Sequence, residues 1–500
     1  MAAADTKSSD YLGQGDNIAS VRHDEGRLAR QDTAPEEGVF QKGPVIDKVD
    51  EFGAHAKTDP REIALVRKLD RHILPILWLM YLFNYLDRNA LVNARLNDLE
   101  AELGLVGTQY NTCVSILFVG YIAGQIPSNM IITRVRPSLY MAGFCLAWSI
   151  ISLLTYLAHD YTTMVIFRLL LGVTEAPFYP GALFLISMFY TRKEVATRMS
   201  WFFTANMLAS AFSPLIAAGV FSGLNGARGL SGWKWLFIIQ GALSIVTAVA
   251  AFYMLPDHPL KTRWLKPEER QLAHSRICID TTDISEDTSV WTGLKQAVVD
   301  WRTWVLVLMY NFHLSSISFQ NFLPTVIETL GHGKILSLVL TFPPYCFAAI
   351  MGVVMAHSSG HFNERTWHIT VCKSIVIVGF IIPAATDDNG ARLFAVFLFV
   401  GFTFGINNII LGWVSSTLGQ TSEKKSVSLA IANSLGNMSS IYMPYIWDKR
   451  FAPRYLPPWF ASIAFSAGCM GLAWLLKISL KRQNKKTREE NPNETNFYVY

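Results

Sequence analysis

Twelve long apolar stretches, each close to the length of a bilayer crossing, constrain this chain more than any other feature. A helical crossing needs about 20 mostly apolar residues. On that measure spans fall at 73–91, 109–132, 139–158, 162–188, 200–222 and 235–255. Six more fall at 303–323, 335–356, 367–386, 393–417, 427–447 and 459–476. Charge is correspondingly scarce. Outside 1–72, 256–302 and 477–500, 32 Asp, Glu, Lys and Arg residues are spread over 357 positions, too few to solvate a globular surface. The runs are too long for barrel strands and lack period-two alternation, which excludes a β-barrel. An all-α membrane protein follows.

The spans divide the chain into five parts. Residues 1–72 are polar and poor in aromatics, and are expected to be disordered and cytoplasmic. They contain no apolar stretch with a cleavage site, hence no secretory signal. A six-helix bundle at 73–255, a central cytoplasmic loop at 256–302, a second bundle at 303–476 and a cytoplasmic tail at 477–500 complete the order. Neither the first segment nor the tail reads as a folded domain. Spans four and ten carry enough Gly and Pro to kink. Cations such as Arg134, Arg136, Arg192, Lys193, Arg198, Lys424 and Lys425 gather on one side of the predicted bilayer, together with those of the loop and tail. By the positive-inside rule both termini lie in the cytoplasm. Asn493-Glu-Thr495 matches a glycosylation pattern but falls on that side, so it is discounted.

Several function classes drop out. The net charge of +5 is spread thinly, with no dense basic block for nucleic acid. Cys113, Cys145, Cys278, Cys346, Cys372 and Cys469 form no CxxC pair and read as packing residues, with no disulfide framework and no metal site. There is no Walker A loop and no nucleophile triad. The chain is expected to be no enzyme and to need no cofactor, with a proton as coupling ion.

Charges inside the spans demand a reason, because each costs about 2.5–3.5 kcal/mol on insertion scales. Span one carries Asp87 and Arg88, and span four carries Arg168 and Glu175. Arg168 and Glu175 are seven residues apart, about two helical turns, and share a face. Asp87 and Arg88 point about 100° apart, so their partners are expected on another helix. The four charges sum to zero. A neutral network that fixes helix packing is one reading. An anion site with proton coupling is the other: an arginine grips a carboxylate in a bidentate fork, and binding an anion there favours protonation of the acid.

Other polar residues extend the candidate site. Tyr85 and Asn206 lie in the first half, and His313, Asn408, Trp413 and Asn437 in the second, with Asn311, Gln320, Asn407 and Asn433 nearby. A single amide in a span is often interhelical glue. His313 can titrate near neutrality or serve as a satisfied structural histidine. Lys373 reads as snorkelling from the inner end of span nine.

The stretch Arg168-Leu-Leu-Leu-Gly-Val-Thr-Glu175-Ala-Pro-Phe-Tyr-Pro-Gly181, with Met188-Phe-Tyr and Arg198, resembles the fungal allantoate permease family. This is the anion:cation symporter branch of the major facilitator superfamily. Asp87-Arg88-Asn89, Gly232-Trp-Lys-Trp-Leu-Phe237 and Pro256-Asp-His-Pro, followed by Arg263-Trp-Leu-Lys-Pro-Glu-Glu-Arg270, are similar to it as well, over roughly residues 68–476. The resemblance implies the major facilitator fold, with 12 transmembrane helices in two pseudo-symmetric six-helix bundles and a central site. It implies proton-driven symport of small carboxylates such as nicotinate, pantothenate or allantoate, typically at the plasma membrane. It further implies that Arg88 contacts the substrate carboxylate, that Asp87 and Glu175 carry protons and that Arg168 modulates the aspartate. A monomer is expected.

The chain departs from the broader pattern in two loops. Ile132-Thr-Arg-Val-Arg-Pro-Ser lacks the usual acidic residue after span two, and Ser358-Ser359-Gly360 stands where an Asp-Arg pair is expected after span eight. An exporter of a fungal secondary metabolite on the same fold is the alternative reading, and a non-transporting sensor the third.

Overall fold

A computed structural model of the chain describes residues 59–132, 135–280, 290–362, 364–418, 422–490 and 498. Residues 1–58, Arg134 and the Asn493–Thr495 pattern lie outside the described residues.

The helices start where local chemistry supplies caps. The first, Pro60–Ala94, opens with proline after Asp59, whose carboxylate accepts from the Arg61 N–H at 2.8 Å. Asp160 caps Tyr161–Glu175 by accepting from the Thr163 N–H at 2.9 Å, and Asp388 caps Asn389–Gly401 by accepting from the Ala391 N–H at 2.7 Å. Thr191 and Glu194 form a capping box at the head of Arg192–Leu224. These side chains satisfy amide donors that the first helical turn leaves without partners.

In chain order the spans are Pro60–Ala94, Gln109–Ile132, Pro137–Leu154, a broken fourth, Arg192–Leu224 and Gly232–Met254. The second half has a broken seventh span, then Lys334–His361, Thr366–Ala385, a broken tenth, a broken eleventh and Leu456–Glu490. Among the described residues eight helices are long and apolar enough to cross a membrane by length and composition. The helices at positions one, two, seven and eleven carry charged or amide side chains or are interrupted. Large apolar side chains such as Val246, Ile350, Phe394 and Phe460 are about 60% exposed or more, as a lipid-facing surface requires.

Breaks fall in spans four and ten, as the Gly and Pro content suggests. Span four divides into Tyr161–Glu175 and Phe178–Phe189 at Pro177, and span ten into Asn389–Gly401 and Phe404–Thr417. Spans seven and eleven also break, after Ser316 and Asn437. The helix of span one begins well before the apolar run. Helices Pro267–Asp280 and Val290–Val299 form within the central loop.

The tail begins as a continuation of the last span. The last helix continues to Glu490 because Leu476 and Leu480 remain fully buried and Lys477 bonds Glu364 at 2.9 Å. Tyr498 returns to it, its N–H donating to Asn484 Oδ1 at 3.0 Å.

Within the first half, span one packs on spans five and six, span three on span six, and span two on span four. The second half repeats this pattern: span seven packs on spans eleven and twelve, span nine on span twelve, and span eight on span ten. The halves meet where span five lies on span eight and span two on span eleven. The spans two–four crossing is unusually close: a Cβ on Gly172 would lie 2.0 Å from the Leu117 carbonyl oxygen, and one on Gly120 2.4 Å from that of Leu169. Glycine lets the two backbones touch, which carries Arg168 and Glu175 against span two.

At the face away from Pro60, the halves are bridged. Lys334 reaches Asp98 at 2.7 Å, Lys449 pairs with Glu100, and Thr112 Oγ1 lies 3.1 Å from Tyr445 Oη. The Arg95 guanidinium sits 4.0 Å above the Tyr110 ring and 5.6 Å from that of Phe322. At the opposite face each half has its own ion pairs, including Arg198–Asp70 at 2.8 Å in the first and Lys424–Asp300 at 2.7 Å in the second. The missing Asp-Arg pair after span eight has a local substitute: Glu364 holds Lys477, and Arg365 donates to Ser359 Oγ at 3.2 Å.

Candidate functional site

Span one presents Tyr81, Asn84, Tyr85, Arg88 and Asn89 at helical spacing along one face, and all five line a cavity of about 170 Å³ between the halves. Span four adds Arg168 and Glu175, so the shared face inferred from their seven-residue separation is present. Asn206 enters from span five, and His313, Asn408 and Asn437 from the second half. Eight of the ten residues expected at the site therefore surround one cavity.

At its centre Arg88 Nε donates to Glu175 Oε2. The Glu175 side chain is completely buried. The Arg88 guanidinium also lies over two rings, 5.3 Å from the centroid of Tyr85 and 4.7 Å from that of Tyr121. Such stacking orients a planar cation and offsets part of its desolvation. Tyr121 of span two was not singled out from the sequence; a tyrosine inside an apolar run carries no distinctive local signal.

Arg168 is anchored differently. Its Nε donates to the Cys113 carbonyl oxygen of span two at 3.3 Å, and its Nη1 has no hydrogen-bond partner among the described residues.

Asp87 does not line the cavity. It is wholly buried on the flank of span one, where Ser152 of span three donates to Oδ1 at 2.8 Å and Ser244 of span six donates to Oδ2 at 3.0 Å. The roughly 100° step from Arg88 places it there. Among the described residues no hydrogen bond joins Arg168 to Asp87: the aspartate accepts from these hydroxyls and the arginine donates to the Cys113 carbonyl, so any influence of Arg168 on Asp87 acts through its charge.

Trp413 is also elsewhere. It is fully buried in the core of the second half, about 140° around the helix from Asn408, which lines the cavity. Asn311 serves as glue, donating to the Leu435 carbonyl oxygen at 2.9 Å and accepting from the Tyr442 hydroxyl at 2.8 Å. Asn407, Asn433 and Gln320 line the cavity, and Asn407 accepts from the Tyr310 hydroxyl at 3.0 Å.

Lys373 does not snorkel. It is wholly buried on the inward stripe of span nine with Ile369, Cys372, Val376 and Phe380, and its Nζ donates to Ser316 Oγ of span seven at 2.5 Å. That stripe is visible in the sequence at i, i+3, i+4 and i+7 from Ile369.

Two helical halves around a polar central cavity narrow the choice of architecture, and the model of one family, described as Major Facilitator Superfamily, matches residues 77–444. The chain belongs to the Major Facilitator Superfamily. It is similar to the major facilitator-type transporter hxnP of Emericella nidulans, 28% identical over 89% of this chain and 91% of the relative. It is also similar to the MFS-type transporter cnsO of Penicillium expansum, 31% identical over 84% of each chain. Among solved structures, an inward-facing bacterial homolog of the human lysosomal transporter Spinster superposes with a TM-score of 0.65. The identity is 14%, covering 85% of this chain and 99% of that one. A D-xylose-proton symporter superposes with a TM-score of 0.61 at 15% identity, over 80% and 96%. At these identities the structures establish the fold: this major facilitator protein is an all-helical integral membrane transporter.

Proposed function

We propose that this major facilitator protein is a proton-coupled symporter of a small organic anion, of the allantoate permease branch, working by alternating access. The observation that carries the reading is the Arg88–Glu175 pair inside the cavity. While Glu175 is ionised, the guanidinium is satisfied within the protein. A proton on Glu175 removes that partner, and a substrate carboxylate then takes its place against Arg88. One anion replaces another, so the loaded site keeps the charge of the empty one. Protonation without substrate leaves Arg88 unneutralised in a low-dielectric interior, which opposes crossing and limits proton leak. Proton and carboxylate thus each favour the other's binding, the linkage that symport needs.

Tyr85, against the Arg88 guanidinium, lies beside the carboxylate end, while Asn206, Asn408, Asn437 and His313 offer polar contacts from the rest of the cavity wall. The charge bias of the loops supports cytoplasmic termini, and the resemblance to the allantoate permease family supports the plasma membrane. In that orientation the Lys334–Asp98 and Lys449–Glu100 bridges close the outside and part when the site turns outward. A monomer contains every part of this cycle.

The test is accumulation of labelled nicotinate, pantothenate and allantoate in transporter-deficient yeast, at acidic and mildly alkaline pH, with and without a protonophore. Acid-stimulated uptake that collapses with the protonophore is expected for one carboxylate. Uptake indifferent to both would remove the proton, and efflux in place of uptake would reverse the direction.

A further inference from the structure

The second half holds a charge that the cycle above does not use. Lys373 is completely buried, and among the described residues no carboxylate pairs with it. The ionisable groups around it are Cys372 on its own helix, Cys469 from span twelve and His313 from span seven. Its ammonium donates to Ser316 Oγ, and Ser316 Oγ donates to the His313 carbonyl oxygen at 2.7 Å. The three residues therefore form one unit that ties span nine to span seven.

His313 is where this unit meets the cavity. The residue is 0% exposed, yet it lines the cavity, and neither ring nitrogen has a hydrogen-bond partner among the described residues. Buried polar groups are normally partnered. An imidazole in either neutral tautomer offers one N–H, and an uncompensated ammonium behind it makes that N–H a better donor to an anion.

Charge counting gives the same direction. Asp87, Arg88, Arg168 and Glu175 sum to zero, and Lys373 brings the interior to plus one. A monoanion that enters with one proton leaves this surplus in place. A dianion that enters with one proton removes it.

We propose that His313, backed by Lys373, is a second anion subsite in the cavity, and that the substrate carries acidic groups at both ends. Arg88 takes one carboxylate and His313 the other acidic group. The inference rests on the carboxylate reading above and adds the substrate class.

Binding of carbon-matched acids to the purified full-length protein tests it: butyrate against succinate, hexanoate against adipate, and 4-methylbenzoate against terephthalate, by titration calorimetry. In each pair that binds, the dicarboxylate is expected to bind about tenfold more tightly, as one added charge contact suggests. Lys373→Met keeps the side-chain shape without charge and should erase that ratio. His313→Leu, which removes the donor altogether, should do the same, and it decides the matter if Lys373→Met does not fold. Equal binding within every pair, or a preference that survives both substitutions, would overturn the second subsite while leaving the carboxylate site standing. No binding by any member would overturn both.

Discussion

Arg88 and Glu175 form one ion pair between spans one and four, and its arginine face is open to the central cavity while its glutamate is sealed from solvent. The pair makes a carboxylate ligand and a protein carboxylate compete for one guanidinium. Arg88→Ala is therefore expected to abolish uptake, by about a hundredfold or more, since truncating one member of a buried charge pair costs roughly 2–5 kcal/mol. Glu175 can take up a proton in the variant, so the protein should still reach the membrane. Arg88→Lys should rescue little, because an ammonium lacks the planar fork and stacks less well between Tyr85 and Tyr121. Normal uptake by surface-expressed Arg88→Ala would remove the anion site.

Glu175→Gln separates coupling from binding. The amide cannot release a proton, so Arg88 stays permanently available. Uphill accumulation driven by the pH gradient should fall by about tenfold or more, while exchange of preloaded substrate for external substrate persists. Counterflow in proteoliposomes reads the second quantity directly. Equal loss of both would argue that Glu175 only holds the helices together.

Asp87→Asn should behave otherwise. Both carboxylate oxygens already accept hydroxyls from Ser152 and Ser244, away from the cavity. An amide turns one acceptor into a donor, which the facing serine can accept only by turning its own hydroxyl proton away and losing its acceptor, at a cost of about 1–3 kcal/mol. Lower thermal stability with gradient-driven accumulation largely retained is the expected pattern. Loss of accumulation at unchanged stability would return Asp87 to the proton path that the family resemblance implies.

Much of this was legible in the sequence for physical reasons. Membrane charges are costly enough that Asp87, Arg88, Arg168 and Glu175 stand out from their spans, and helical geometry alone puts Arg168 and Glu175 on one face. The same geometry separates Asp87 from Arg88 but does not say which of them faces the cavity; packing against Ser152 and Ser244 decides that. Trp413 and Asn408 look alike in the sequence as polar-tipped residues of span ten, yet the helical turn between them points Trp413 into the core. Lys373 departs from the snorkelling expected of a lysine near a span end because its place on the stripe of Ile369 and Val376 turns it inward. Breaks in spans seven and eleven carry a weaker signal, a proline at the head of a short helix that follows, Pro324 in one and Pro444 in the other.

The spans two–four crossing depends on missing side chains. At Gly172 a Cβ would meet the Leu117 carbonyl oxygen, a backbone atom that cannot swing away. Gly172→Val should force the helices apart and shift Glu175 from Arg88, at a cost of about 1–3 kcal/mol from overpacking. A lower melting temperature and weakened uptake should appear together. A variant as stable and active as the parent would show that the crossing has room to spare.

The loop helix Pro267–Asp280 gives the pH-dependent case. Lys68 on span one donates to Glu269 Oε2 at 2.6 Å, and the Lys266 N–H donates to the same oxygen at 2.8 Å. Partial burial pushes the Glu269 carboxyl up, but these two donors and the nearby lysine charges outweigh it and hold the group below its usual range. A carboxyl lowered in the folded state stabilises docking above its unfolded value and loses that contribution as pH falls through the folded one. The contact is partly exposed, so the effect is modest and weakens with salt. Spin labels at Arg71 and Glu268, both exposed, should give one narrow distance at neutral pH and a broader distribution on acidification below the usual carboxylate range. Glu269→Gln should show the broad distribution at every pH. Identical narrow distributions in parent and variant throughout would mean that His72 stacked on Trp264, 4.4 Å between centroids, docks the helix without the ion pair.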